Sequence, residues 1–267
     1  MNHPKKKIRQ WILYASLLSL VTGCSADQDI KQWQLPAQIN EVSGLTPGPD
    51  GSVYLHDDEI AVVYEFQLDT GDVNTTFRVE QPAIEGDFEG IATTAANFFL
   101  ITSEAELYQI PRTSEMLEAT VSADVFDTGF SALCEVEGLH ELNNHLYIAC
   151  KTPYLKEDKK NIVLVEYSLE SHSITNEIRL DLESLSLKKF SPSAIWLDEQ
   201  SINLLSAKQR RLVQLSWSGE ILQQVKLDKG RHPQPEGLSV IDGRFIIADE
   251  GDGDGGLITI YPNFPAD

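Results

Sequence analysis

Glu135-Val136-Glu137-Gly138-Leu139, followed by the turn Asn143-Asn144 and the apolar run Leu146-Tyr147-Ile148, decides the fold, because the same order recurs along the chain. Five stretches align with it: Glu41-Val-Ser-Gly-Leu45, Asp87-Phe-Glu-Gly-Ile91, Glu135-Val-Glu-Gly-Leu139, Ser191-Pro-Ser-Ala-Ile195 and Gln234-Pro-Glu-Gly-Leu238. Their fourth positions fall at residues 44, 90, 138, 194 and 237, giving intervals of 46, 48, 56 and 43 residues. A repeat of this size suits one propeller blade of four short strands.

Each copy continues alike. A turn such as Pro49-Asp50-Gly51 or Asp242-Gly243 leads into an apolar run (Val53–Leu55, Phe99–Ile101, Leu146–Ile148, Ile202–Leu205, Phe245–Ile247). About ten residues later comes an alternating strand such as Val63-Tyr64-Glu65-Phe66 or Leu257-Ile258-Thr259-Ile260. A fourth strand follows in four copies, at Val73–Val79, Ala119–Val125, Ile174–Leu180 and Ile221–Leu227. The fifth copy ends at Asp267 before reaching one, whereas Ile30–Leu35 has the look of that strand. The pattern predicts an all-β, five-bladed β-propeller whose last blade is closed by the N-terminal strand, hiding the sheet edges. One domain, residues 28–267, holds all five copies. The third copy is the longest, and its charged stretch Lys156–Lys160 reads as a solvated loop.

The chain has 267 residues, 42% hydrophobic, with 41 acidic against 21 basic residues and a formal charge of −20. Such apolar content rules out disorder, and such charge argues against nucleic acid as a partner. Lys5, Lys6, Lys7 and Arg9 precede an apolar run from Trp11 to Val21, as in a secretory signal over residues 1–23. Leu20-Val21-Thr22-Gly23-Cys24 resembles the lipobox of bacterial lipoproteins, which implies acylation of Cys24 and a short tether over residues 24–27. Ser25 stands where the inner-membrane retention signal would have aspartate, so the outer membrane is expected. Removing the signal deletes four basic residues and no acid, taking the charge from −20 to −24. Two acyl chains anchor stably where one is marginal.

The "SGL" at 43–45, "DFEGIA" at 87–92, "VEGL" at 136–139 and "PEGLS" at 235–239 resemble the SdiA-regulated protein family of bacterial envelope propellers. The likeness runs from about residue 28 to 262; the fourth copy departs from it, lacking both acid and glycine. It implies a five-bladed propeller, an envelope location and a bound calcium ion, and it supplies no catalytic activity.

Equivalent positions of successive blades form rings about a propeller axis. The residue before each motif glycine (alanine in the fourth copy) gives Ser43, Glu89, Glu137, Ser193 and Glu236, with Glu41, Asp87, Glu135, Ser191 and Gln234 two residues earlier. Crowded carboxylates oppose folding unless a cation or protons intervene. Hard oxygen donors without His or Cys favour calcium, and an acidic channel filled with water is the competing expectation. A second ring, at the end of each second strand, gives Asp58, Glu104, Lys151, Lys208 and Glu250. Its lysines are suited to hold a ligand's carboxylate or phosphate, or to neutralise neighbouring acids. His56 is the best general-base candidate, on a strand expected to end on this face.

Glu250-Gly-Asp252-Gly-Asp254-Gly255 copies the first half of an EF-hand loop, but Tyr261 stands at its twelfth position. Cys134 and Cys150 flank a hairpin in diagonal register, within reach of a disulfide. The chain has no nucleophile elbow, phosphate-binding glycine loop or His-Glu-x-x-His motif. Three readings remain: a calcium-containing module binding an unidentified protein or small molecule, a calcium-dependent hydrolase, and a structural adaptor.

Overall fold

The computed structural model describes residues 29–113 and 116–265. Its strands form five sheets, each a blade of a five-bladed β-propeller. The chain enters through β1 (Lys31–Gln34) and then builds the first blade from β2 (Val42–Pro47), β3 (Ser52–Asp57), β4 (Val62–Gln67) and β5 (Val73–Val79). The second comprises β6 (Phe88–Thr93), β7 (Asn97–Thr102), β8 (Glu106–Pro111) and, after β9 (Ala119–Val121), β10 (Asp124–Asp127). The third is β11 (Cys134–Leu142), β12 (His145–Pro153), β13 (Asn161–Ser168) and β14 (Ser173–Asp181). The fourth is β15 (Ala194–Leu197), β16 (Ser201–Ser206), β17 (Arg211–Ser216) and β18 (Ile221–Lys226). In the fifth, β19 (Pro235–Ile241), β20 (Arg244–Asp249) and β21 (Leu257–Tyr261) are completed by β1, antiparallel to β21 with Lys31 opposite Ile260. The first strands touch in cyclic order, and β19 against β2 closes the ring.

Packing explains why the second strands read as apolar on both faces. Five buried clusters lie among the described residues, one at each junction between neighbouring blades. Between blades one and two, for example, Val63 and Phe77 meet Phe88, Phe98 and Leu100. Both faces of each second strand therefore bury their side chains, against a sheet on either side. At the axis the blades come closer still. A Cβ on Gly90 would sit 2.7 Å from Leu139 Cβ, and one on Gly237 would sit 3.0 Å from Leu45 Cγ. The motif glycine of one blade is thus the seat for the aliphatic residue of the next.

Two sequence expectations need correction. Ala119–Val125 is not one strand. Its first part, β9, adds in parallel to β5 of the first blade, while β10 completes the second. Ala119, Val121 and Ala123 pack on the cluster between blades one and two, which draws the segment across that junction. The loop over Lys156–Lys160 is also not fully solvated, because Asp158 is buried and accepts a hydrogen bond from Arg179 Nε at 2.8 Å.

Candidate functional site

The residue before the motif glycine is the extra residue of a bulge. Pairing between the first and second strands slips between Val42 and Gly44, Phe88 and Gly90, Val136 and Leu139, and Pro235 and Gly237. A bulge re-aims a side chain and ends regular pairing. Here it brings carboxylate oxygens of Glu89, Glu137 and Glu236 within 4.8 Å of one another. Ser43, buried like the first two, donates a hydrogen bond to Glu89 Oε2 at 3.1 Å. The fourth blade has no such slip in its strand. Ser193 donates to Pro235 O at 2.9 Å and accepts from the Ala207 N–H at 3.0 Å, so its hydroxyl is committed to the backbone and not to the trio.

Beneath the trio, Leu45, Ile91, Leu139, Ile195 and Leu238 are all buried and line, with Ser43, Glu89 and Ser193, a cavity of about 10 Å³. That is room for about one water, so this level of the axis is an aliphatic plug and not a column of water. The plug is the source of the site's electrostatics. Burial, with Glu89 and Glu236 nearby, pushes the Glu137 carboxyl up to about 9. Burial likewise raises Glu89 to about 7, and Glu236 is raised for the same reason. The one ammonium paired with the trio among the described residues is Lys151, 2.8 Å from Glu137 Oε2 and 3.7 Å from Glu135 Oε1. Burial alone would lower the pKa of Lys151, but the Glu137 carboxylate outweighs it and raises that pKa. Glu137 is 2% exposed, so its pairing with Lys151 is made out of reach of bulk solvent.

The second ring does not form as one ring. Asp58 and Glu250 join Glu41, from the inner set, in another trio whose oxygens lie within 4.8 Å of one another. The pairing of Asp58 N–H with Glu41 O, at 2.9 Å, brings these two together. Burial and neighbouring acids raise Asp58 to about 7 and Glu250 to about 8. Asp58 Oδ1 is buried and unpartnered. Glu104 is exposed and belongs to neither trio. Lys208 stands apart from both trios on a cavity between blades three, four and five, with Arg210, which the sequence reading missed.

His56 does not open on this face. It is 0% exposed, its Nδ1 lies 3.0 Å from Asp57 O, and its Nε2 has no partner. Burial lowers its pKa to about 4, so the imidazole is neutral and enclosed, unsuited to general-base work. The EF-hand-like loop is an acidic turn. Asn40 Oδ1 accepts hydrogen bonds from the N–H groups of Gly253 and Gly255, leaving Asp252 and Asp254 exposed. Behind Glu236, His232 bridges Asp249 Oδ2 (2.8 Å) and the Tyr261 hydroxyl (2.6 Å), a buried brace for the fifth blade. Cys134 and Cys150 form the disulfide, with Cα atoms 5.7 Å apart. The diagonal register is as read, since Cys150 lies opposite Val136. Cys24, the signal and the tether lie outside the described residues.

No family model matches the chain. No curated protein matches it either. Solved structures do. A glutaminyl cyclase from Myxococcus xanthus superposes with a TM-score of 0.60 at 11% identity, covering 86% of this chain and 93% of its own. A luciferin-regenerating enzyme gives 0.56 at 10% identity, covering 86% and 95%. The PQQ-bound aldose sugar dehydrogenase from Streptomyces coelicolor gives 0.54 at 12%, covering 87% and 98%. At such identities the likeness establishes a propeller fold and nothing of the chemistry.

Proposed function

We propose that the chain is a lipid-anchored envelope propeller of the SdiA-regulated type, acylated at Cys24 and held at the outer membrane, whose axial face binds calcium and a ligand. One observation carries the calcium reading. Each trio gathers three carboxylates within 4.8 Å of one another; Asp58 Oδ1 in one is buried without a hydrogen-bond partner, and Glu137 Oε2 in the other has the Lys151 ammonium alone, at 2.8 Å. Unsatisfied buried oxygens are costly. Six carboxylates with one ammonium form a hard, all-oxygen donor set of the kind that suits calcium. Glu89, Glu137 and Glu236 would hold the ion, with Glu41, Asp58 and Glu250 beside it.

Calcium bound only by the folded state stabilises by about 2.7 kcal/mol at a hundredfold excess over the dissociation constant. Chelation should therefore lower the melting temperature of the mature protein, and Glu137→Gln should abolish that dependence. If the trio instead stays free of metal, Glu137→Gln removes a carboxyl that burial forces to take up a proton, and raises stability at neutral pH while chelator has no effect. For the anchor, radiolabelled fatty acid should enter the wild type and be absent from Cys24→Ser. The cavity beside the trio supports a second reading, calcium-dependent hydrolysis of an ester, lactone or phosphoester. Turnover that disappears on chelation would establish it; ligand retention without turnover would establish a binding module.

A further inference from the structure

Charge on the axial face is divided by sector. The turns after the second strands carry Asp58 and Glu59 in the first blade, Glu104 in the second and Glu250 with Asp252 and Asp254 in the fifth. In the fourth blade the corresponding turn carries Lys208 and Arg210. Although acids outnumber bases 41 to 21, neither of these two enters an ion pair among the described residues. Arg210 Nε is buried without a hydrogen-bond partner. Both side chains line a cavity of about 380 Å³ between blades three, four and five, a volume within the range of small-molecule sites.

The fourth copy's departure from the motif explains why the cavity is there. Where other blades present carboxylates, this one presents Ser191 and Ser193, which are small and turned to the backbone. Ser191 Oγ donates to Lys151 O at 2.8 Å, and Ser193 Oγ to Pro235 O. The basic turn is pinned as well. Between its two cations, Gln209 donates to Lys189 O and accepts from the Ser206 hydroxyl, both at 2.5 Å. The site is therefore held in shape before any ligand arrives, which lowers the entropic cost of binding.

We propose that this cavity is an oxyanion subsite, in which Arg210 and Lys208 hold a phosphate or carboxylate group of a small-molecule ligand. Arg210 offers a planar fork of donors matched to two oxygens, and Lys208 adds a point charge. Glu137 and Glu236 line the same cavity, with Lys151 paired to Glu137, so unpaired positive charge in it comes from the fourth blade, and the ligand presents its oxyanion there. The proposal rests on the reading of this face as a ligand-binding surface, and not on the calcium.

The test is calorimetric titration of the mature protein with inorganic phosphate and, separately, acetate, at constant ionic strength, in chelator and in calcium. Saturable binding of at least one oxyanion is expected in chelator, weakened tenfold or more in Arg210→Gln and in Lys208→Gln. Lys156→Gln, an exposed lysine outside the cavity, should bind as wild type. Lys208 is exposed, so its variant carries the test should Arg210→Gln fail to fold. No saturable binding of either oxyanion, or equal binding by wild type and Lys208→Gln, overturns the subsite. Oxyanion binding in a protein that binds no calcium would remove the calcium reading alone, and calcium binding without oxyanion binding would remove the subsite alone.

Discussion

Lys151 Nζ stands 2.8 Å from Glu137 Oε2, and the oxygen it neutralises belongs to the most deeply buried carboxylate of the axial trio. The ammonium and a calcium ion thus compete for the same charge. Replacing Lys151 with glutamine removes the competitor, and calcium should bind more tightly by about tenfold, or about 1.4 kcal/mol. The same variant in chelator should melt below the wild type, because the trio loses its counterion. Calcium titration of the two proteins decides the matter; weaker binding by Lys151→Gln would mean that the lysine organises the site and does not rival the ion.

The raised carboxyls give the metal-free protein a stability profile of definite sign. Glu137 titrates near 9 when folded against an ordinary 4.5, so its neutral form is favoured by folding. The corresponding stability is present at low pH and is lost as pH rises from about 4.5 through about 9, with Glu250 near 8 acting in the same direction. Buried His56 and His140 oppose it. Both are lowered to about 4 by burial, so their contribution is present above 6.5 and lost as pH falls towards 4. In chelator, the melting temperature should climb as pH is lowered from 9 towards 7, and the two histidines should blunt that climb below 6.5. Glu137→Gln should flatten the alkaline limb, and so should calcium. A wild-type curve in chelator that is level between pH 7 and 9 would contradict this account.

The blades were legible because each repeats one sentence of local chemistry: turn residues, a doubly buried strand, an alternating strand. The approach of Glu89, Glu137 and Glu236 was legible too, since equal positions in a closed ring must face one axis. Other features depend on packing that no single repeat encodes. Asp58 meets Glu41 through a backbone pair at the mouth of the first hairpin, and aligning the second strands alone gives no sign of it. Ser193 sits at the right position of the motif but lacks the slip in register that would turn it inward. His56 lies near the end of β3, a strand end that looked open, yet the close approach of Gly44 encloses it. Arg210 was missed because it lies two residues beyond the aligned lysine, in a turn whose course is set by Gln209.

The Cys134–Cys150 disulfide ties β11 to β12 within the cluster shared by blades two and three. A crosslink enclosing about 15 residues is worth about 3 kcal/mol through the unfolded chain; the separation here is 16. Cys134→Ala/Cys150→Ala should lower stability by about 2–4 kcal/mol in denaturant titration, and the native protein unfolded without reductant should yield no alkylatable thiol at either position. Two reactive thiols would show that the bond does not form. Since Lys151 adjoins Cys150, the double variant should also loosen the Lys151–Glu137 pair, read as a change in calcium affinity larger than that of a distant core substitution of equal destabilisation.

Closure of the ring by β1 makes the last prediction. Four backbone pairs join β1 to β21, and the Leu35 N–H donates to Gly256 O at 2.8 Å. Leu35 is buried in the cluster between blades five and one, and Trp33 packs against Gly71 of the first blade, where a Cβ would meet its ring at 2.5 Å. This short segment therefore completes the fifth sheet and seals it against the first. Leu35→Ala should cost about 2–5 kcal/mol, the usual range for a buried leucine. Deleting the chain through Leu35 should do more, because β21 becomes an open edge carrying unpaired N–H and C=O groups, a template for pairing with another molecule. Sedimentation velocity should show dimers or larger species for the truncated protein and monomer-like behaviour restored by a synthetic peptide spanning residues 29–36. A truncated protein that stays monomeric and melts with the wild type would mean that the propeller is closed by the contact of β19 with β2 alone.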